Sequence, residues 1–231
     1  IDEVLLTTNG IFLPFYAEKL KKAGLRRINI SLDTLNKETF KAISGSDCID
    51  QVFSGIEEIK RVGFEPIKLN AVIMKGINDN EITDFMEFAI SKGLVLRFIE
   101  FMKVTPLWKE KHYFPIEKIK DICNKRFKLK KIGNLDSGPA EYYEFDKGSQ
   151  VGFINTYEGN CSSCNRLRLT STGELKVCLY ENKGVCLREL LRKNLSDEDI
   201  RNVVISRMGM KRTTDYRNYE SAKSYMCSIG G

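Results

Sequence analysis

The first half of the chain alternates short apolar runs with helical patterns, and this alternation constrains the fold more than any other feature. The apolar runs are rich in β-branched residues, as strands are, and cover residues 3–9, 27–33, 67–74 and 94–102. Between them, apolar residues recur on one helical face, most clearly in residues 49–59 and 82–90. Because strands joined through helices run parallel, the sequence predicts an α/β fold with a parallel sheet.

Polar side chains gather where the predicted strands end. They are Thr7, Thr8, Asn9, Ser31, Asp33, Asn70, Arg97 and Glu100. In parallel α/β folds, ligands bind at the carboxyl ends of the strands. The sequence therefore predicts a binding site at this edge of the sheet.

The pattern changes after about Phe127. Residues 134–154 contain turn residues and short alternating segments, which indicate antiparallel strands, and helical patterns return after Cys186. We therefore predict a boundary near residue 128, which divides the chain into domains of residues 1–128 and 129–231.

Composition excludes several classes of protein. An apolar fraction of 42% over 231 residues can fill a core, and no apolar run reaches the length of a membrane span. The net charge of +6 suits an anionic ligand, but lysines interleave with glutamates and no basic tract carries aromatic residues. We expect a globular protein that binds neither membrane nor nucleic acid, with the cytoplasm as its location.

The seven cysteines indicate a metal site rather than disulfides. Their number is odd and no secretory signal precedes them, so a reducing compartment is expected. Cys161 and Cys164 form a C-x2-C pair, and Cys178 follows after thirteen intervening residues. Three thiolates suit an iron–sulfur cluster with one open iron, whereas Cys186 as a fourth ligand would complete a structural zinc site. The spacing leaves both interpretations open.

The other cysteines give weaker signals. Cys123 shares a helix face with isoleucines, so it is expected in the core, and neither Cys48 nor Cys227 has an evident partner.

Several segments, taken in order, resemble the GTP 3',8-cyclase family of radical S-adenosylmethionine enzymes. They are TTNG, INISLDTLN, IKLNAVIMKGINDNEI, RFIEFM, CSSCNRLRLTSTGELKVCL and the terminal MCSIGG. The resemblance covers essentially the whole chain. It implies an α/β fold in the form of a partial (β/α) barrel of the radical SAM type. A C-terminal α+β domain would follow, carrying a second [4Fe-4S] cluster.

The resemblance also implies an activity. S-adenosylmethionine, cleaved at a first [4Fe-4S] cluster, would give a 5'-deoxyadenosyl radical that takes hydrogen from C3' of GTP. Closure on C8 would give (8S)-3',8-cyclo-7,8-dihydroguanosine 5'-triphosphate, in the biosynthesis of the molybdenum cofactor. The expected partners are GTP as substrate, a second copy of the chain in a homodimer, and cyclic pyranopterin monophosphate synthase, which would receive the product.

Site residues follow from the matched positions. Cys161, Cys164 and Cys178 match the ligands of the second cluster, which makes the zinc interpretation the weaker one. GTP contacts are expected at Thr7, Lys68, Arg166 and Arg168, with Leu167 between the two arginines and Arg97 as a further cationic candidate. Ser31 and Met102 match positions that contact S-adenosylmethionine. Gly230 and Gly231 match a tail that reaches into the catalytic pocket.

Two departures from the family pattern keep alternatives open. Asn160 stands where an aromatic residue usually precedes the first cysteine, and the segment KRTTDYRNY lacks the histidine often seen before the tail. Another radical enzyme with a second cluster is one alternative. A zinc-stapled nucleic-acid-binding module is the other, and iron or zinc in anaerobically purified protein would distinguish the two classes.

The chain begins at Ile1, close to a predicted strand, and contains no C-x3-C-x2-C motif for the first cluster. We expect that the barrel part bearing this motif precedes the given sequence, and that the 231-residue chain alone does not turn over GTP. The measurement is 5'-deoxyadenosine after incubation with S-adenosylmethionine, GTP and a strong reductant. Its appearance above the level of a boiled control would contradict the prediction.

Overall fold

The computed structural model describes residues 1–134, 138–155, 166–181 and 183–211. The chain forms two compact units. The first comprises Ile1–Phe101 and Glu110–Asn155, and the second comprises Met102–Lys109 and Thr156–Gly231.

The first unit contains four parallel strands in chain order. They are β1 (Leu5–Thr8), β2 (Arg27–Ser31), β3 (Ile67–Ile73) and β4 (Val95–Glu100). Each lies within one of the four apolar runs of the sequence, so the predicted α/β class with a parallel sheet is confirmed.

Five helices accompany these strands. They are α1 (Leu13–Lys22), α2 (Lys37–Ser44), α3 (Ile49–Arg61), α4 (Ile82–Lys92) and α5 (Ile116–Phe127), with single 3-10 turns at Asp79–Glu81 and Glu110–His112. Helix α2 begins where the side chain of Asn36 accepts a hydrogen bond from the amide of Thr39, as N-cap residues do. Most periodic residues of α3 and α4 are buried, as their pattern predicted, and Phe53 and Ile90 are half-buried.

The core lies on one face of the sheet. In β3, Ile67, Leu69, Ala71 and Ile73 are buried in one cluster with apolar residues of the helices. Because side chains alternate along a strand, Lys68, Asn70 and Val72 point to the opposite face. This second face carries most of the polar residues of the parallel strands. Thr8 and Glu100 are exceptions, because they are the register partners of the buried Ile30 and Ile73.

An antiparallel segment extends the same sheet beyond β4. It consists of β5 (Lys130–Gly133), β6 (Glu141–Phe145) and β7 (Ser149–Ile154), with a 3-10 turn at Asp146–Gly148 between the last two. Strand β7 pairs in parallel with β4, which gives the order β1-β2-β3-β4-β7-β6-β5.

The predicted antiparallel strands are therefore present, but they belong to the sheet of the first unit. This unit extends to Asn155, beyond the boundary predicted near residue 128. The assignment of separate functions to residues 1–128 and 129–231 stays a prediction.

Within its described residues, the second unit contains a small antiparallel sheet and two helices. Its elements are β8 (Arg168–Leu169), β9 (Glu174–Lys176), β10 (Val185–Cys186), α6 (Leu187–Arg192) and α7 (Asp197–Lys211). Strand β9 lies between β10 and β8. Within the parts of the chain that the structure describes, no helix is long and apolar enough to cross a membrane.

Phe98 of β4 contacts aromatic rings on both a helix and an antiparallel strand of the first unit's core. Its ring lies 6.2 Å from Phe85 of α4 and 6.1 Å from Phe153 of β7. Phe98→Ala would remove both aromatic contacts and leave a cavity. We expect this variant to lower the free energy of unfolding by about 3–5 kcal/mol. Urea denaturation measures this, and Phe15→Ala, at a side chain 71% exposed, should change it little.

Candidate functional site

Four of the predicted site residues lie on the face of the sheet opposite to the helices, which we call the polar face. Strand register pairs Thr7 with Asn29 and Asn29 with Lys68, and in the next rank it pairs Ser31 with Asn70 and Asn70 with Arg97. Paired residues on neighbouring strands point to the same side. The polar face is thus defined by Thr7, Asn29, Ser31, Lys68, Asn70 and Arg97.

Hydrogen bonds orient these side chains across the strands. The amide nitrogen of Asn29 donates to Thr7 Oγ1 at 3.2 Å, and Arg97 Nε donates to Asn70 Oδ1 at 2.7 Å. Among the described residues, no carboxylate pairs with Arg97. A guanidinium held by a neutral amide keeps its full charge and offers further donors, so this position suits an anion.

Lys68 is the second cation of the polar face and is only 7% exposed. Its Nζ donates to the hydroxyl of Tyr142 on β6 at 3.2 Å and lies 5.5 Å from the centre of the same ring. Tyr142 is fully buried. Sequence reasoning missed Tyr142, because 74 residues separate the partners and nothing in the local pattern connects them.

The loop after β1 carries the TTNG segment and forms a tight turn. Thr8 Oγ1 accepts from the amide of Gly10, and Asn9 Oδ1 accepts from the amide of Ile11. Gly10 has a φ of 82°, which glycine adopts without strain. A Cβ on Gly55 of α3 would come within 2.7 Å of the Gly10 carbonyl oxygen, so the loop rests directly on that helix. The turn thereby fixes the carboxyl end of β1.

The loop after β2 is held by buried polar groups that the sequence did not reveal. Glu81 accepts from the Thr34 hydroxyl at 2.6 Å and from the Leu35 amide at 2.7 Å. The side-chain amide of Asn78 donates to the carbonyl oxygens of Asp33 and Val72. These bonds tie the carboxyl ends of β2 and β3 together.

Asp33 lies in this loop beside the polar face. Its Oδ1 accepts a hydrogen bond of 2.9 Å from the Val72 amide. Burial raises the pKa of the Asp33 carboxyl to about 6, and the bond from Val72 offsets only part of that shift. Near neutral pH this group can therefore carry or lose a proton, which is a property common at functional sites.

The segment RLRLTSTGELKVC lies on and around the small sheet of the second unit. Arg166 and Leu167 are exposed, and Arg168 is half-buried on β8 directly opposite Lys176 on β9. A turn closed by Thr170, whose hydroxyl accepts from the Glu174 amide, joins the two strands. The strand pair thus brings two cationic side chains to neighbouring positions.

Cys178 follows β9 and is half-buried, in a turn held by a buried ion pair. The Glu181 amide donates to the Cys178 carbonyl oxygen at 3.3 Å. The Glu181 carboxylate accepts from the Val177 amide and forms an ion pair with Arg207 of α7. Backbone and side chain of Glu181 thus fix the segment on both sides of Cys178.

The remaining predicted residues fall into two groups. Met102 is half-buried in the second unit. Cys161, Cys164, Gly230 and Gly231 lie outside the described residues. Among residues 1–134, 138–155, 166–181 and 183–211, no three His, Cys, Asp or Glu side chains converge on a common metal site. The predicted three-cysteine set includes two residues beyond these ranges and stays a prediction.

Comparison with protein families divides the chain between two models. The Radical SAM superfamily matches residues 1–89, and Molybdenum Cofactor Synthesis C matches residues 94–216. The first match agrees with the predicted barrel class.

Several GTP 3',8-cyclases align along most of the chain. A GTP 3',8-cyclase of Thermodesulfovibrio yellowstonii is 42% identical, over 91% of this chain and 67% of the relative. A GTP 3',8-cyclase of Peptoclostridium acidaminophilum is 40% identical, over 100% of this chain and 71% of the relative. A third, from Syntrophomonas wolfei, is 39% identical over 100% of this chain and 73% of the relative.

The raised pKa of Asp33 predicts how its replacement changes stability with pH. The folded pKa of about 6 exceeds the unfolded value, so the folded state binds the proton more tightly and wild-type stability falls as pH rises from about 4 to about 6. Asp33→Asn can still accept from Val72 and should be more stable than wild type by about 1–2 kcal/mol near pH 8, a figure reduced for partial exposure. The gain should vanish near pH 4.

Urea denaturation of both proteins across this pH range measures the difference. Asp121→Asn, at an exposed position on α5, is the control and should show no such gain. A constant difference between Asp33→Asn and wild type at all pH values would contradict the prediction.

Proposed function

The chain belongs to the GTP 3',8-cyclase family, and from this premise we propose that it converts GTP to (8S)-3',8-cyclo-7,8-dihydroguanosine 5'-triphosphate in molybdenum cofactor synthesis. The observation that carries the proposal is the alignment of the whole chain with GTP 3',8-cyclases at about 40% identity. The family models for both parts of the chain support it.

The proposed GTP contacts include several cationic side chains. On the polar face, Arg97 and Lys68 offer positive charge and Thr7 offers a hydroxyl. In the second unit, Arg166, Leu167 and Arg168 lead into β8, with Lys176 opposite Arg168. Guanidinium groups donate two parallel hydrogen bonds to phosphate oxygens, so arginines suit the triphosphate.

The proposed cofactors are [4Fe-4S] clusters and S-adenosylmethionine. Cys161, Cys164 and Cys178 would hold one cluster, and a set of three thiolates fits a cluster whose fourth iron remains open. The Glu181 and Arg207 contacts support this role, since they fix the turn that carries Cys178. When bound, the cluster supplies an iron that can take a ligand from the substrate, and S-adenosylmethionine supplies the radical.

Ser31 and Met102 would contact S-adenosylmethionine. Ser31 is the last residue of β2 on the polar face, where its hydroxyl is exposed for such a contact. Gly230 and Gly231 would enter the catalytic pocket, since residues without a Cβ fit narrow spaces beside a substrate. A homodimer, transfer of the product to cyclic pyranopterin monophosphate synthase and a cytoplasmic location complete the proposal.

The two arginines of the second unit provide the test. In anaerobically reconstituted protein, Arg166→Ala or Arg168→Ala should weaken GTP binding by about 1.5–3 kcal/mol, the scale of a hydrogen bond to a charged group. Iron content should stay at the wild-type level, because neither side chain is a proposed ligand. Equilibrium dialysis and iron analysis measure the two quantities.

The matched control is Arg201→Ala, which removes an exposed arginine from α7 of the same unit and should leave GTP binding unchanged. Iron lost from the Arg166 or Arg168 variants with unaltered GTP affinity would contradict the phosphate-binding role. A colourless protein with one tightly bound zinc would contradict the proposed function itself.

A further inference from the structure

We propose that Tyr142 is a positioning residue that holds the ammonium group of Lys68 at the polar face, and that Gly152 provides the space it needs. The inference rests on the proposed role of Lys68 in binding GTP. No motif or matched position assigns a role to either Tyr142 or Gly152, and both belong to the hairpin of β6 and β7.

Two contacts join Tyr142 to the lysine. The phenolic oxygen accepts from Lys68 Nζ at 3.2 Å, and the ring centre lies 5.5 Å from the same nitrogen. The first contact fixes a direction, and the second adds the attraction between a cation and the face of an aromatic ring. Together they restrict a side chain that otherwise has four flexible methylene groups.

Gly152 makes this arrangement possible. Gly152 is on β7, where it is the register partner of Tyr142 on β6 and of Arg97 on β4. A Cβ at Gly152 would lie 2.8 Å from Tyr142 Cε1 and 3.1 Å from Cδ1, distances too short for unbonded atoms. The ring therefore lies across β7 in the space that a side chain would fill. From there its hydroxyl reaches a lysine on β3, beyond β4.

The burial of the pair gives the contact its energetic importance. Tyr142 is 0% exposed and Lys68 is 7% exposed. An ammonium group taken out of water needs polar partners at all times, and a phosphate can serve as one only while substrate is bound. The Tyr142 hydroxyl is present whether or not substrate is bound, so it holds the ammonium group before an anion arrives. Less side-chain entropy is then lost when an anion binds.

The neighbouring tyrosine provides a matched control. Tyr143 points to the opposite face of β6, where its hydroxyl donates to Glu141 at 2.8 Å and its ring packs 5.5 Å from Phe153. Replacement of either tyrosine by phenylalanine removes one hydroxyl from the same strand and keeps the ring. The two variants differ in the face that they affect.

The experiment measures the affinity of the anaerobically reconstituted chain for GTP and for guanosine, which lacks phosphates. Tyr142→Phe should weaken GTP binding about tenfold, equal to about 1.4 kcal/mol, and leave guanosine binding unchanged. Tyr143→Phe should change neither affinity. Gly152→Ala should weaken GTP binding in the same direction as Tyr142→Phe, because the added Cβ displaces the ring.

A double-mutant cycle separates positioning from a merely structural role. Lys68→Met should weaken GTP binding, and Tyr142→Phe added to Lys68→Met should then cause no further loss, since the tyrosine acts through the lysine. An undiminished loss in that background, or equal losses for GTP and guanosine, would overturn the inference and leave the proposed function intact. If Lys68→Met itself left GTP binding unchanged, the role of Lys68 and the inference would fall together.

Discussion

The register of the parallel strands is the constraint on which the rest of the first unit depends. Leu69 pairs with Leu96 and faces the helices, whereas Asn70 pairs with Arg97 and faces away from them. Because side chains alternate, a slip of one residue in β3 would place Lys68 among the helices and a leucine on the polar face. The hydrophobic core and the candidate site therefore enforce the same register from opposite faces of one sheet.

This constraint also explains how one sheet can carry two cations at close quarters. Arg97 is hydrogen-bonded to Asn70, and Lys68 is hydrogen-bonded to Tyr142, so each has a neutral partner of its own. Two acidic groups near this edge, Asp33 and Glu81, accept from the backbone of β3 and of the loop after β2.

The sequence predicted the parallel strands and helices α3 and α4, because their hydrophobic periodicity is a local property of the chain. It did not predict that β7 would join β4, since that pairing depends on contacts between distant segments. The structure does change after Phe127, from alternating strands and helices to antiparallel strands. These strands continue the same sheet, so the change does not mark a domain boundary. The same reason explains why Tyr142 was missed, while Lys68 and Arg97 were found on strands that periodicity had already located.

The hairpin therefore matters for the site as well as for the fold. A boundary near residue 128 would separate Lys68 from Tyr142 and Arg97 from Gly152, although all four lie on adjacent parts of one continuous sheet. With the unit extended to Asn155, the hairpin closes the polar face beside β4 and supplies the ring against which the lysine rests. The parallel strands carry Lys68 and Arg97, and Tyr142 of the antiparallel strands fixes the position of the Lys68 ammonium group.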